Sequence, residues 1–155
     1  MTVSLPTGGV EFVCTGNICR SPFAAGLAVS LGLAPSQVHS SGVWADPGRG
    51  CPPQAVAAAA EFGVDLADHA ARCVARESLA RREWVLVMEF GQLAEVQRLL
   101  PCAWGGRATL LGAYCPGAGV EILDPYGGSP EEYREAYDLI VQAVGRWLGR
   151  RAEAL

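Results

Sequence analysis

The sequence predicts an α/β protein with a four-stranded parallel sheet, in the strand order 2-1-3-4, and helices on both faces. Short runs rich in β-branched and aromatic residues alternate with longer runs at helical spacing, a pattern typical of parallel sheets with right-handed crossovers. The run Trp84-Val85-Leu86-Val87-Met88 is continuously apolar, as expected of a strand that is buried on both faces. Since no repeat or linker divides the 155 residues, we expect a single domain over residues 1–155.

Each element of this fold has a local signal in the sequence. Runs that favour extended structure predict strands at residues 10–14, 37–42, 84–88 and 108–111. Helical spacing predicts helices at residues 21–31, 53–62 and 76–82, in a segment that ends near residue 100, and from residue 130 onward. Residues 44–52 are rich in Gly and Pro, and they are expected to form a loop, as are residues 112–129.

The ends of the predicted helices carry capping signals. Ser21 suits the N-cap of the first helix, and Pro22 suits its first position, where a missing N–H costs nothing. Gly32 and Gly63 suit the ends of the first and second helices. The last helix opens with Ser129-Pro130-Glu131-Glu132, which has the form of a capping box.

The charged residues exclude several classes of function. The net charge is −4, and all 12 basic residues are Arg. Without Lys the chain has no ε-amine for a Schiff base, a lysine general base or a nucleotide-binding Gly-rich loop. The Arg residues are dispersed among 16 acidic residues, which argues against a nucleic-acid partner.

The apolar segments and the cysteines indicate the compartment. No stretch approaches the roughly 20 apolar residues of a membrane span, and Met1–Pro6 lacks the features of a signal peptide. We therefore expect a cytoplasmic protein with no membrane partner. The six cysteines form no Cys-x-x-Cys pair, and only His39 and His69 could join them in a metal site, so we expect no metal. In a reducing cytoplasm we also expect no disulfide framework, and we expect no other cofactor. Most of these thiols are expected to be small core residues.

The loop Cys14-Thr15-Gly16-Asn17-Ile18-Cys19-Arg20-Ser21, between the first strand and the first helix, carries the predicted chemistry. A loop wrapped over a helix N-terminus directs backbone N–H groups inward and forms an anion site. Gly16 and Asn17 tolerate the left-handed angles that such a loop requires. The same positive potential favours the thiolate of Cys14, and the planar guanidinium of Arg20 matches two oxygens of a phosphate. The pattern predicts covalent phosphoryl transfer.

Two further roles belong to this chemistry. Ser21 either donates a hydrogen bond to the thiolate or caps the helix. The leaving group also needs an acid, and His39 and His69 are expected to be structural instead. Of the two Asp-Pro dipeptides in loops, Asp46-Pro47 and Asp124-Pro125, the second is favoured, because the apolar residues before Asp124 would help a carboxyl to keep its proton.

Four motifs occur in a recognisable order: Val13-Cys14-Thr15-Gly16-Asn17-Ile18-Cys19-Arg20-Ser21-Pro22, Ser40-Ser41-Gly42, Val85-Leu86-Val87-Met88 and Asp124-Pro125-Tyr126. Over nearly the whole chain they resemble the low-molecular-weight protein tyrosine phosphatases, in their bacterial form. The resemblance implies hydrolysis of phosphotyrosine through a cysteinyl-phosphate intermediate. Cys14 would be the nucleophile, Arg20 the transition-state clamp and Asp124 the general acid.

The residues and the resemblance together predict a set that binds phosphate or substrate: Thr15, Gly16, Asn17, Ile18, Cys19, Ser21, Ser40, Trp44 and Tyr126. From the resemblance come the following roles of Asn17 and Cys19. Asn17 would hold the loop shape, supported by a hydrogen bond from Ser40. Cys19 would form a reversible protective disulfide with Cys14, a role compatible with that of a small packing residue. Trp44 would either form a wall of the substrate slot or cover the core. Many family members carry a second aromatic residue directly after the one in the position of Tyr126, and this chain does not.

The expected partners follow from the same resemblance. They are a phosphotyrosine protein, with bacterial tyrosine kinases as the suggested substrates, and phosphate- or vanadate-like anions in the site. No residue of the chain points to the kinase itself. The default oligomeric state is a monomer.

Three alternatives remain. Segments 40–45 and 124–129 also resemble the bacterial protein-arginine phosphatases, which typically have Thr at the position of Ile18; a branched apolar side chain suits a flat aromatic phosphoester better. Thioredoxin-coupled arsenate reductases need two further cysteines near the helix after the third strand, and residues 88–95 contain none. A phosphate-binding or redox module without catalysis would not need Asp124 together with Cys14 and Arg20.

Overall fold

A computed structural model describes residues 8–115, 117 and 119–153. Within these residues the strands are β1 (Val10–Cys14), β2 (Val38–Gly42), β3 (Trp84–Val87) and β4 (Arg107–Leu110). The helices are α1 (Arg20–Ser30), α2 (Pro53–Glu61), α3 (Arg76–Ala80), α4 (Phe90–Leu99) and α5 (Pro130–Glu153), with 3₁₀ turns at Pro35–Gln37 and Leu111–Tyr114. Met1–Pro6, the segment that lacks signal-peptide features, lies outside the described residues.

The sheet has the order β2-β1-β3-β4, and every neighbouring pair of strands is parallel. The predicted α/β fold and strand order are thus confirmed. The order reverses at β1, which lies between β2 and β3, and ligands of open parallel sheets bind at such a switch point, at the carboxyl ends of the strands. Cys14 is the last residue of β1, so the fold itself places its thiol at that position.

Both faces of the sheet are covered, as the continuous apolar runs predict. On one face, Phe12 and Leu86 pack with buried side chains of α1, α2 and α5. On the other face, Val13 and Val85 pack with Leu79 of α3 and with residues of α4. Because successive strand side chains point to opposite faces, both clusters draw on the same two central strands.

The start of α1 differs from the prediction. The helix begins at Arg20, its N-cap residue is Cys19, and no side-chain hydrogen bond caps it. Ser21 therefore lies inside the first turn, and its hydroxyl is 3.0 Å from the sulfur of Cys14. By contrast, α5 begins with the predicted capping box, in which the Glu132 N–H donates to Ser129 Oγ at 3.2 Å.

A buried carboxylate lies in the middle of the sheet. Glu11 of β1 is fully buried, and its oxygens accept hydrogen bonds from Ser41 Oγ (2.6 Å), Ser78 Oγ (2.8 Å) and Arg82 Nε (3.0 Å). These partners satisfy a charge that burial alone would make costly. The network fastens α3 to the two strands that carry the site. No helix in the described ranges is both long and apolar enough to cross a membrane.

Candidate active site

A cavity of about 210 Å³ opens at the carboxyl end of β1. Ten residues from three separate parts of the chain line it: Cys14, Thr15, Gly16, Ile18, Cys19, Arg20, Trp44, Arg49, Asp124 and Tyr126. The tertiary structure thus brings the predicted nucleophile, clamp and acid into one cavity. Asn17, Ser21 and Ser40 of the predicted set lie behind this lining, where their hydrogen bonds shape the loop.

Hydrogen-bond donors surround the sulfur of Cys14. The backbone N–H of Asn17 donates to Sγ at 3.2 Å, and the Ser21 hydroxyl lies 3.0 Å from it. Ser21 Oγ also donates to the carbonyl oxygen of Ser41 at 3.2 Å and accepts from Asn17 Nδ2 at 2.7 Å. The hydroxyl has one proton for two acceptors, the Ser41 carbonyl and the sulfur, and a thiolate is the stronger acceptor of the two. Of the two roles considered for Ser21, the geometry provides the contact with the sulfur.

Asn17 occupies the strained point of the loop. Its φ of 54° lies in the left-handed region, which asparagine tolerates better than most residues; Gly16, named with it in the prediction, does not have a positive φ. The Asn17 amide donates to Ser40 Oγ at 3.0 Å, the reverse of the direction that the resemblance implied, and Asn17 Oδ1 accepts from the Arg72 N–H at 3.0 Å. One buried side chain therefore ties the loop to two neighbouring segments.

Two further contacts fix the loop from behind. His69 Nε2 lies 2.7 Å from the carbonyl oxygen of Asn17, and burial lowers the pKa of His69, so the neutral imidazole donates this bond. Gly42, at the end of β2, lies directly under the loop. A Cβ atom there would lie 2.5 Å from the Thr15 carbonyl oxygen and 2.8 Å from the Asn17 nitrogen. Only glycine permits this close approach.

Arg20 is 1% exposed and is held along one edge. Its Nη1 donates to the Ile122 carbonyl oxygen at 2.7 Å and forms an ion pair with Glu89 at 3.1 Å. Its Nε is buried and has no hydrogen-bond partner among the described residues, while Nη2 lies 3.6 Å from Asp124 Oδ2. The opposite edge, Nε with Nη2, therefore remains available for two oxygens of an anion.

Asp124 follows Ile122 and Leu123 and enters the cavity beside Arg20. Its Oδ1 accepts the Tyr126 N–H at 3.1 Å, which fixes the turn, and its Oδ2 faces the guanidinium. The side chain is 43% exposed, so it is less buried than the apolar residues before it suggested. Asp46, the other acid considered, does not line the cavity.

Aromatic and aliphatic side chains form the walls of the cavity. Trp44 is 86% exposed and lines the cavity, so it does not cover the core. Tyr126, 53% exposed, lines it as well, and Ile18 lines it as a buried side chain. Apolar walls above an anion-binding base suit a flat aromatic ring attached to a phosphate.

Cys19 lies next to the nucleophile but in a different environment. Its sulfur is 3.6 Å from the Tyr133 hydroxyl, and its carbonyl oxygen accepts from the Tyr137 hydroxyl at 2.9 Å. Burial raises the pKa of the Cys19 thiol to about 11. This cysteine is therefore a thiol at neutral pH.

The other cysteines are less uniform than predicted. All six are free; Cys115 is buried like Cys14 and Cys19, and Cys51 is half-buried. Cys73 and Cys102 are exposed, so the expectation that most cysteines are core residues is wrong for these two, because each lies in a surface segment. The described part of the chain contains no cluster of three or more His, Cys, Asp or Glu arranged to bind a metal.

Several residues of the site were not predicted from the sequence. Glu89 and Gln92 flank the start of α4, where Glu89 pairs with Arg20 and Gln92 Nε2 donates to Thr15 Oγ1 at 3.1 Å. A capping box joins these two residues at the start of α4. Their spacing of three residues is the one feature of the sequence that could have pointed to them. Nothing local in the sequence connects His69 with Asn17 or Tyr133 with Cys19.

The fold and this site together define a cysteine-based phosphoryl-transfer protein, and comparison with known proteins gives the family. The model of the low molecular weight phosphotyrosine protein phosphatase family matches residues 9–155. The chain belongs to this family.

Individual relatives agree with the family assignment. The chain is 34% identical over 138 residues to the probable low molecular weight protein-tyrosine-phosphatase EpsP of Ralstonia nicotianae, covering 89% of this chain and 92% of that protein. It is also 34% identical to the protein-arginine-phosphatase of Geobacillus stearothermophilus, covering 88% and 91% of the two chains. The structure of Vibrio vulnificus Wzb in complex with benzylphosphonate superimposes with a TM-score of 0.82 at 29% identity, covering 94% and 99%.

Proposed function

We propose that this protein hydrolyses phosphotyrosine in proteins through a cysteinyl-phosphate intermediate. The observation that carries the proposal is that Cys14, Arg20 and Asp124 line one cavity, between walls formed by Trp44 and Tyr126. The three groups supply a nucleophile, a clamp for the phosphoryl oxygens and a proton donor, which are the parts that phosphoryl transfer to a thiolate requires.

In the first step, the Cys14 thiolate attacks phosphorus and forms the S–P bond while the P–O bond to tyrosine breaks. Protonated Asp124 gives its proton to the leaving phenolate oxygen. Arg20, held along its other edge by Glu89 and Ile122, binds two equatorial oxygens through Nε and Nη2. Because the guanidinium is already oriented, little reorganisation accompanies the charge that spreads over the phosphoryl group.

In the second step, the Asp124 carboxylate removes a proton from a water molecule as that water attacks phosphorus. The S–P bond breaks, inorganic phosphate forms and Cys14 leaves as the thiolate. The hydroxyl of Ser21, 3.0 Å from the sulfur, donates to the negative charge that develops there. The N–H of Asn17 does the same from the loop backbone.

The walls of the cavity support an aromatic phosphoester as the substrate. Ile18 offers no hydrogen-bond acceptor or donor for a guanidinium, and Trp44 and Tyr126 present ring surfaces. The related Wzb of Vibrio vulnificus is known in complex with benzylphosphonate, itself an aromatic phosphoryl compound. We propose that the physiological substrate is a phosphotyrosine protein, such as a bacterial tyrosine kinase, and that the site acts in the cytoplasm, where Cys14 remains reduced.

Substitutions of Cys14 and Asp124 test this function. Cys14→Ser is expected to abolish turnover of a phosphotyrosine peptide while retaining binding of vanadate. Asp124→Asn should lower kcat by about 10²- to 10⁴-fold, and by less with p-nitrophenyl phosphate, whose leaving group needs no proton. Asp46→Asn, in the other Asp-Pro loop, is the matched control and should leave kcat unchanged. Undiminished turnover by Cys14→Ser would refute the mechanism.

Phosphoarginine is the second candidate substrate, since one relative of similar identity is a protein-arginine-phosphatase. The two are separated by measuring kcat/KM for matched phosphotyrosine and phosphoarginine peptides. We expect the wild type to prefer phosphotyrosine and Ile18→Thr to shift the ratio toward phosphoarginine. A wild-type preference for phosphoarginine would instead establish the second candidate.

A further inference from the structure

Arg49 is a charged residue of the cavity that the mechanism does not use. It lies in the loop after β2, and its Nη2 donates to the Tyr126 hydroxyl at 2.9 Å. The centre of its guanidinium lies 5.5 Å from the centroid of the Tyr126 ring. The side chain therefore reaches from the loop after β2 to the loop that carries Asp124, at the rim of the cavity.

The backbone around Arg49 is held in place by a neighbouring segment. Its carbonyl oxygen accepts the Ala71 N–H at 2.8 Å, and the N–H of Gly48 donates to the Ala71 carbonyl oxygen at 2.8 Å. The N–H of Arg49 donates to the Asp46 carbonyl oxygen at 3.1 Å. Because both ends of the residue are anchored, its guanidinium is presented at the rim by a defined piece of backbone.

Arg49 differs from Arg20, the other arginine that lines the cavity, in how its charge is compensated. Arg20 forms ion pairs with Glu89 and Asp124. Among the described residues Arg49 forms no such ion pair, and its hydrogen-bond partner is a tyrosine hydroxyl. Asp46 attracts it only from beyond ion-pair distance. A cation thus lies at the rim with capacity to bind a carboxylate of another molecule.

The position of the rim indicates what that molecule is. With the phosphoryl group at Cys14 and the phenyl ring between Trp44 and Tyr126, the main chain of a substrate leaves the cavity at its mouth. The residues that flank phosphotyrosine then pass Arg49. We propose that Arg49 determines specificity by favouring phosphotyrosine segments that carry a carboxylate beside the phosphotyrosine. This inference rests on the proposed phosphotyrosine phosphatase function.

The test uses two peptides that differ only in Glu or Gln next to phosphotyrosine. The measured quantity is the ratio of kcat/KM for the Glu peptide over the Gln peptide, in which any general loss of activity in a variant cancels. An exposed charge pair predicts a wild-type ratio of about three, arising mainly in KM. Arg49→Gln should lower the ratio to about one, Arg49→Lys should keep most of it, and Arg49→Glu should invert it.

Two controls complete the experiment. Arg98→Gln removes an exposed arginine of α4 that pairs with Glu95 and does not line the cavity, and it should leave the ratio unchanged. Raising the ionic strength to about 1 M should bring the wild-type ratio close to one, because the Debye length falls to about 3 Å. This measurement needs no variant, so a wild-type ratio that salt does not change overturns the role of Arg49 even if a substitution at Arg49 prevents folding.

The outcomes distinguish a failure of the proposed role of Arg49 from a failure of the proposed phosphotyrosine phosphatase function. If both peptides are hydrolysed and the wild-type ratio is near one, or if Arg49→Gln leaves it unchanged, the role of Arg49 is overturned while the phosphatase function stands. If neither peptide is hydrolysed but a phosphoarginine peptide is, the proposed function itself fails.

Discussion

Replacing Asn17 by Ala is expected to damage both the stability and the activity of the protein. The side-chain amide makes three hydrogen bonds, to Ser21 Oγ, Ser40 Oγ and the Arg72 N–H, with lengths of 2.7, 3.0 and 3.0 Å. The residue is fully buried and has a φ of 54°. The substitution therefore removes every one of these bonds and leaves alanine in a conformation that it adopts unfavourably.

The magnitude follows from these contacts. A lost hydrogen bond costs about 1 kcal/mol when its partners are not left wholly unpaired, and more when they are. The left-handed backbone adds about 1 kcal/mol for alanine. We expect Asn17→Ala to lower the free energy of unfolding by about 4 kcal/mol, a large part of the total of a typical domain. We expect kcat/KM to fall by about 100-fold, since the loop donors no longer converge on the reacting atoms.

Urea unfolding and turnover of p-nitrophenyl phosphate measure the two effects. Ser40→Ala removes one of the three bonds and should lower the free energy of unfolding by only about 1 kcal/mol. Asn17→Asp keeps the acceptor for Arg72 and the tolerance of a left-handed φ, so it should lie between the two. If Asn17→Ala were no less stable than Ser40→Ala, the view that Asn17 organises the loop would be refuted.

Three further outcomes are expected. Arg20→Lys should be nearly inactive, because an ammonium cannot bind two phosphoryl oxygens as a guanidinium does. A kcat/KM within about threefold of wild type would contradict the proposal that Arg20 binds two phosphoryl oxygens. The free energy of unfolding should fall as pH drops below about 6.5. Burial lowers the pKa of His39 and His69, so the unfolded chain binds more protons than the folded protein at low pH. Urea unfolding at several pH values measures this effect, and a free energy of unfolding that does not change with pH would argue against it. In Cys14→Ser, alkylation of Cys19 by iodoacetamide should keep accelerating up to about pH 11, the raised pKa of its thiol; a plateau near pH 8 would show that the thiol is not desolvated.

Much of the fold could be predicted because its signals are local. The continuously apolar run at β3 and the alternation of strands with helices predict buried parallel strands, and the sheet order agrees with that prediction. The loop from Cys14 to Arg20 is likewise contiguous, so its spacing, turn residues and helix start are all visible in the sequence. Where the prediction erred, at the start of α1, two uses of one hydroxyl competed. Ser21 could serve the helix or the sulfur, and only the folded loop decides between them.

The supports of the site could not be predicted, because they are distant in sequence. Glu89 orients Arg20 from 69 residues away, His69 reaches Asn17 across 52 residues, and Arg49 meets Tyr126 across 77. Each contact depends on how loops pack at the carboxyl end of the sheet, and no periodicity or spacing records that packing.

The sequence by itself determined the fold class, the reactive loop and the exclusion of lysine chemistry, since these depend on residue type and short-range order. The tertiary structure alone decided which edge of Arg20 is available, which aspartate enters the cavity, and that Trp44 lines the cavity instead of covering the core. It also placed Arg49 at the rim. The physical reason is that nucleophile and loop lie within one strand–loop–helix unit, whereas acid, walls and rim come from other loops that meet only when the parallel strands align their carboxyl ends.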